Sequence, residues 1–428
     1  MPVVKPFNGI RYNKSVVKNI AHVVAPPYDV IGPDMQDDLY AKDPNNVIRL
    51  ILGRMNDTDS DSDNRYTRAG DLFREWLDEG VLVREERKSI YVYAQGYNDG
   101  RRKVERIGFL ALLGFEKGAK DRVMPHENTL MKPKIDRLNL IRQVRANLSP
   151  IFVMYDDAGR AVLKILKKEM ARHRSVIDIK VSGVRERLWA LSDEKDIAKI
   201  ERLLAGKDIF IADGHHRYEV ARNYSDEIQS QDAPRELKDN SKFLMTYFIG
   251  SDEKMLTVYP THRLIKDIGT LTPEEIEGRL SKYFYIKKSR NLKDMLSKLA
   301  RVKKSAGFGI YLGDGIYYVI AQKDYKASDS IVKNASKDWK RLDVTILHSF
   351  VMKRVLGLRE DEENLKYVKD AVECVSSVDK GGYKMAFFLN PTKVSQVKKV
   401  AKLGEKMPKK ATYFYPKLLS GLVINKLC

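Results

Sequence analysis

Between Ile209 and Tyr224 the hydrophobic period of the chain changes within a few residues. Ile209-Phe210-Ile211-Ala212 reads as a short apolar strand, and Tyr218, Val220 and Ala221 follow on a helix. The joint is Asp213-Gly214-His215-His216-Arg217. A strand that runs through Asp-Gly straight into a helix leaves the first helical N–H groups without intrahelical partners. Those groups and the helix dipole favour a bound anion. Gly214 lets a ligand approach the backbone where a Cβ would block it. Arg217 offers a planar fork suited to phosphate, and His215 or His216 can donate a hydrogen bond or carry a proton.

The rest of the chain alternates between the two periods. Ile90-Tyr91-Val92-Tyr93 and Ile107-Gly108-Phe109-Leu110 flank Asn98-Asp99-Gly100, a hairpin signal. Ala69, Leu72, Phe73, Trp76 and Leu77 share a helical face that Gly80 terminates. A second hairpin is expected around Gly313-Asp314-Gly315. Mixed strands, hairpins and helices predict an α+β fold with mixed sheets rather than a doubly wound one. With 428 residues, two regions are expected: 1–265, carrying the anion site, and 266–428, α+β with a closing basic-aromatic motif.

Composition narrows the functional classes. Hydrophobic residues make up 43% and charged residues 32%, enough for a sizeable core. The two cysteines, Cys374 and Cys428, supply neither a disulfide framework nor thiolate ligands, so no protein-bound zinc is expected. No apolar run is long enough to span a membrane, and the opening MPVVKPFNGIRYNKS has no apolar leader segment. A cytoplasmic protein with no membrane partner is the expectation. Lys and Arg number 78 against 58 acids, a net charge of +20 that attracts nucleic acid, acidic lipid or phosphorylated small molecules. Lys and Arg crowd residues 281–307, where Asp294 is the only acid. Leu292, Met295, Leu296 and Leu299 nevertheless keep helical spacing there. An amphipathic helix with a solvated cationic face is therefore preferred to a nucleic-acid arm, which would interleave aromatic residues.

Further segments carry groups suited to an anionic ligand. Ala25-Pro26-Pro27-Tyr28-Asp29 is a stiff loop that presents Tyr28 and Asp29. His126-Glu127-Asn128-Thr129 combines an acid and a base ahead of a helix, with Lys132 close behind. Thr261-His262-Arg263 adds a second His-Arg pair, and the segment 407–417 carries Lys409 and Lys417. A transition-metal site on His216, Glu219 and His126-Glu127 is disfavoured, because Arg217 would repel a dication. Magnesium brought in by a polyphosphate needs only one or two carboxylates, with Asp213, Glu127 and Asp29 as candidates. Asp57 to Asp63 resembles a calcium loop, but it lacks the turn glycine and has Arg68 where the bidentate Glu belongs.

Taken together, APPYDVI, HENT with KIDR behind it, IADGHHRYE, PTHR and MPKKATYFYPKLLSGL resemble the uncharacterised family called domain of unknown function 1015. The likeness runs from end to end, with one departure: Ala411 stands where relatives usually carry Ser. Asp213, Gly214, His216 and Arg217 are also similar to the Asp-Gly-x-His-Arg box of ParB-like and sulfiredoxin-like proteins, which include free L-serine kinases. That resemblance implies a core of this type and a box that holds nucleotide phosphates. It further implies phosphoryl transfer to a small hydroxylated metabolite, free serine foremost, from a nucleotide or polyphosphate donor with magnesium. Glu127 or Asp29 would then take the hydroxyl proton, and Lys132, Lys409 or Lys417 would hold ligand oxygens. A phosphoserine phosphatase and a ParB-like nucleic-acid-binding protein are the alternatives. The state of assembly is left open.

Overall fold

The strand and helix periods read from the sequence build an α+β protein of two units. The computed structural model describes residues 2–100, 102–115, 122–252, 255–313 and 315–428. The first unit comprises Met1–Thr257 together with Pro416–Cys428, and the second comprises Val258–Tyr415. Beside the single division near residue 265 expected from the sequence, these units part after Thr257, and the chain returns to the first of them at Pro416. Asn425–Lys426 pairs antiparallel with Ala146–Asn147, and Leu427 is buried against Ile141, Val220 and Tyr224. Apolar burial of this kind, with ladder hydrogen bonds, fixes the returning segment in place.

The first unit is organised on a nine-stranded mixed sheet. Its strands are β1 (Val4–Lys5), β2 (Ile90–Asn98), β3 (Lys103–Gly114), β4 (Val123–Met124), β5 (Ile151–Tyr155), β6 (Ile177–Val181), β7 (Val184–Leu191), β8 (Ile209–Asp213) and β9 (Phe243–Gly250). They lie in the order β4-β8-β5-β9-β3-β2-β7-β6, with β1 added on β3. β8 runs parallel to β4 and antiparallel to β5, and β5 runs parallel to β9. The β2–β3 hairpin closes where the Asn-Asp-Gly signal predicts, with Asn98 opposite Lys103 and Gly100 at φ +84°. One face of the sheet buries Ile90, Val92, Phe109, Val153, Ile209 and Ile211 in a core shared with α2 (Ala161–Arg172) and α3 (Glu194–Leu204). Two further helices place the site: α1 (Met131–Val144) and α4 (His215–Ser230), which meet through Ile141, Val220 and Tyr224.

The calcium-like loop is closed by its own arginine. Arg68 lies 2.7 Å from both Asp59 and Asp63, so the guanidinium occupies the acidic groups.

The second unit carries a six-stranded antiparallel sheet: β10 (His262–Ile265), β11 (Phe284–Ser289), β12 (Gly307–Tyr311), β13 (Tyr317–Gln322), β14 (Leu365–Val368) and β15 (Met385–Leu389). The expected β12–β13 hairpin forms, with Tyr311 opposite Tyr317; its Asp314 lies outside the described residues. Met295 and Leu299 bury the apolar face of the basic helix Leu292–Leu299 against Leu264 and Phe388. Among the described residues no helix is long and apolar enough to cross a membrane.

Candidate functional site

At the end of β8 the register slips between Ile211 and Asp213, which brings Asp213 opposite Phe152 of β5. Gly214 follows in the left-handed region (φ +90°) and starts α4. A Cβ at Gly214 would stand 3.0 Å from the Ile151 side chain and 3.1 Å from the Arg217 guanidinium, so both backbone geometry and space select glycine. The first helical bond runs from the Tyr218 N–H to the Gly214 carbonyl, leaving the amides of His215, His216 and Arg217 ahead of it. The Asp213 carboxylate, just ahead of this helix start, accepts from Arg217 at 3.0 Å and pairs with the Lys417 ammonium. Burial opposes the charge on Asp213, but Lys417 and Arg217 outweigh it and hold the carboxyl below its ordinary range. Arg217 also donates to the Pro150 carbonyl, so part of its fork is already committed within the protein.

The His-Glu-Asn-Thr loop meets the same helix start. His215 Nε2 accepts the backbone N–H of His126 at 3.2 Å, which assigns its proton to Nδ1, 3.4 Å from Glu127 Oε2. The His126 and His215 rings stand edge to face with centroids 4.5 Å apart. Burial alone would raise the Glu127 carboxyl. The hydrogen bond from His215 and the neighbouring His126 and Lys417 prevail, so the group lies well below the usual carboxylate range. His216 Nε2 accepts the Leu130 N–H at 2.8 Å, leaving Nδ1 as its donor. Burial lowers the proton affinity of His216, against the pull of Glu127, Asp29 and Glu219. Glu219, one turn further along α4, takes the Thr129 hydroxyl and lies 3.5 Å from Lys134.

The Pro-Pro-Tyr-Asp loop supplies the third side. Tyr28 packs under the Arg137 guanidinium at 4.1 Å, and burial raises its hydroxyl against the pull of Arg137 and Arg217. Asp29 is close enough to His216 to favour its protonated form. A mostly apolar crevice of about 60 Å³ opens beside these groups, lined by Tyr28, Arg137, Leu140, Ile141, Arg217 and Val220. A roomier crevice of about 530 Å³ adjoins Tyr155, at the opposite end of β5 from Asp213, so volume alone does not mark the chemistry.

Tyr28, Asp29, His126, Glu127, Asp213, Gly214, His215, His216, Arg217 and Lys417 thus share one region of the first unit. Lys132 is exposed on the first turn of α1, and Lys134 reaches the helix in its stead. His262, Arg263 and Lys409 belong to the second unit. His262 and Arg263 are buried in β10, and Lys409 is exposed. Pairs such as Asp213–Lys417 had no local signal, whereas Arg137 sat within the quoted Lys-Ile-Asp-Arg motif. Among the described residues no group of three or more His, Cys, Asp or Glu side chains is arranged to hold a metal ion.

Comparisons with known proteins place the chain in a family. Solved structures similar to the chain include a free serine kinase mutant in complex with ADP (14% identity, TM-score 0.34, covering 69% of this chain and 84% of that one). A conserved hypothetical protein from Pyrococcus furiosus is 13% identical (TM-score 0.33, covering 72% and 93%). SbnI with a C-terminal truncation, from Staphylococcus aureus, is 10% identical (TM-score 0.33, covering 73% and 85%). No curated protein matches. The model of the family described as "Protein of unknown function (DUF1015)" matches residues 4–345, most of the chain, and the protein belongs to that family.

Proposed function

We propose that the first unit transfers a phosphoryl group between a nucleotide or polyphosphate and a small hydroxylated metabolite, free L-serine foremost. The observation that carries this reading is the convergence, at one helix start, of an ionised carboxylate with donors of opposite charge. Glu127 stands beside His215, while His216 and the Lys417–Asp213–Arg217 set border the amides that open α4. Phosphoryl transfer rests mainly on positioning and on neutralising charge spread over the phosphoryl oxygens.

In this reading the α4 amides, the Nδ1–H of His216 and the ammonium of Lys417 hold those oxygens. Glu127 orients the acceptor hydroxyl and receives its proton as the phosphoryl group moves. A carboxylate held below its ordinary range is a weak base but a permanent acceptor, which suits a loose transition state. Asp29 is the second candidate for that role, within electrostatic reach of His216. Magnesium carried in with a polyphosphate would find Glu127 more accessible than Asp213, with side-chain exposures of 39% and 15%.

Thermal unfolding of the full chain with ATP, ADP, pyrophosphate, serine and phosphoserine tests the reading. A ligand at one hundred times its Kd should add about 2.7 kcal/mol of stability. Stabilisation by a nucleotide or pyrophosphate, with serine-dependent turnover, supports the kinase. Phosphate release from phosphoserine without a donor would favour the hydrolytic direction. No stabilisation by any of the five, with steeply salt-dependent DNA or RNA binding, would replace both by the nucleic-acid reading.

A further inference from the structure

Behind Lys417 lies a polar network that the proposed chemistry does not use. Gln95 (β2), Arg106 (β3) and Glu186 (β7) are at most 2% exposed. The Glu186 carboxylate accepts from the Tyr93 hydroxyl at 2.7 Å and from the Gln95 amide at 3.1 Å. Arg106 donates to the Gln95 side-chain carbonyl, and its guanidinium lies 5.0 Å from the Phe152 ring. Hydrogen bonds also leave this network for the returning segment. Arg106 donates to the Pro416 carbonyl, and the Gln95 amide donates to the Lys417 carbonyl at 3.2 Å.

Burying an arginine and a glutamate is costly even when they are paired, and apolar residues of similar size would often serve stability as well. A role in placing something else explains their presence better. The two carbonyls they hold flank the Lys417 Cα, so the network sets where that side chain begins. A lysine side chain is long and flexible, and an anchored start is what confines its ammonium. At the other end the ammonium meets Asp213, which Arg217 holds from the opposite side.

We infer that Gln95, Arg106 and Glu186 act as positioning residues that seat the Lys417 ammonium on Asp213. This inference rests on the proposed anion site only for its purpose; the seating itself can be measured without a ligand.

Brief acetylation of the full-length protein with acetic anhydride, read by peptide mass spectrometry, reports the accessibility of each lysine amine. Exposed Lys132 and Lys409 serve as internal standards. Asp213→Asn should raise Lys417 labelling about tenfold by removing the ion pair. Gln95→Leu removes the Gln95 hydrogen bonds to Glu186, Arg106 and the Lys417 carbonyl at similar volume and should raise it about fivefold, with the two standards unchanged. A general loss of structure would raise many partly shielded lysines together. In that event Glu186→Gln, which conserves shape, decides the matter through an expected rise of about twofold at Lys417 alone.

Native-like Lys417 labelling in a folded Gln95→Leu, or in Glu186→Gln if the first variant unfolds, overturns the inference while Asp213→Asn responds. Native-like labelling in Asp213→Asn overturns it as well, since the ammonium would then not be seated there. Titration of the native protein with ADP and with pyrophosphate separates the two ideas. Absence of binding there, with the labelling pattern intact, would reject the functional reading and leave the seating in place.

Discussion

The protein contains two His-Arg pairs, and they have opposite fates. His216-Arg217 opens α4 after a left-handed glycine, and both side chains stay partly accessible beside carboxylates. His262-Arg263 lies inside β10, flanked by β14 and β15, and both side chains are buried. Arg217 meets the Asp213 carboxylate, whereas the Arg263 hydrogen bonds run to the Thr261 and Lys410 carbonyls and to His348. Burial pushes His262 down to about 4 and Arg263 to about 10. The same dipeptide is therefore a candidate ligand site in one unit and an interior tie in the other. A strand within a covered sheet hides successive side chains, while a glycine turn at a helix start presents them.

Perturbing each pair should separate these roles. The largest change is expected for Glu127→Gln, which should slow the proposed phosphoryl transfer to serine by about a hundred- to ten-thousandfold in steady-state assays. Arg217→Ala should slow it about ten- to a thousandfold, with a loss of about 1–2 kcal/mol of stability from its bonds to Asp213 and Pro150. Arg263→Ala should instead destabilise the second unit by roughly 3 kcal/mol in denaturant titrations, through lost buried contacts. An Arg263→Ala variant that loses turnover at unchanged stability would erase the distinction.

Acid provides a further contrast. His262 binds a proton more weakly when folded than when unfolded, so its contribution is intact above about pH 6.5. It is lost as pH falls towards about 4, by at most roughly 3 kcal/mol. His262→Phe should flatten the stability profile over that window. Smallest of all, Gly214→Ala should cost about 1–2 kcal/mol, since it forces a side chain into the left-handed region against Ile151. The site would be sharpened further if that variant also weakened pyrophosphate binding.

Legibility from sequence followed range. The Ile209–Tyr224 joint, the two hairpins and the amphipathic basic helix were readable because their signals are periodic and local. The meeting of Tyr28, Glu127 and His215 was readable only as a set of motifs with suitable chemistry. The choice between neighbouring lysines was not: two residues along a helix turn a side chain by about 200°, which separates Lys132 from Lys134. Nor was the burial of His262 and Arg263, since cover for β10 depends on strands about one hundred residues further along the chain. The pairing of Asp213 with Lys417 spans 204 positions and leaves no local trace.

That last pairing bears on how the molecule is made. The whole of the second unit is translated between Asp213 and Lys417, so a nascent first unit on the ribosome holds its aspartate without the lysine and its Gln95–Arg106 pair without the carbonyls they bind. The Asp213–Lys417 pair can form only after residue 417 has emerged, so the candidate site is assembled late in synthesis rather than with the collapse of the first sheet.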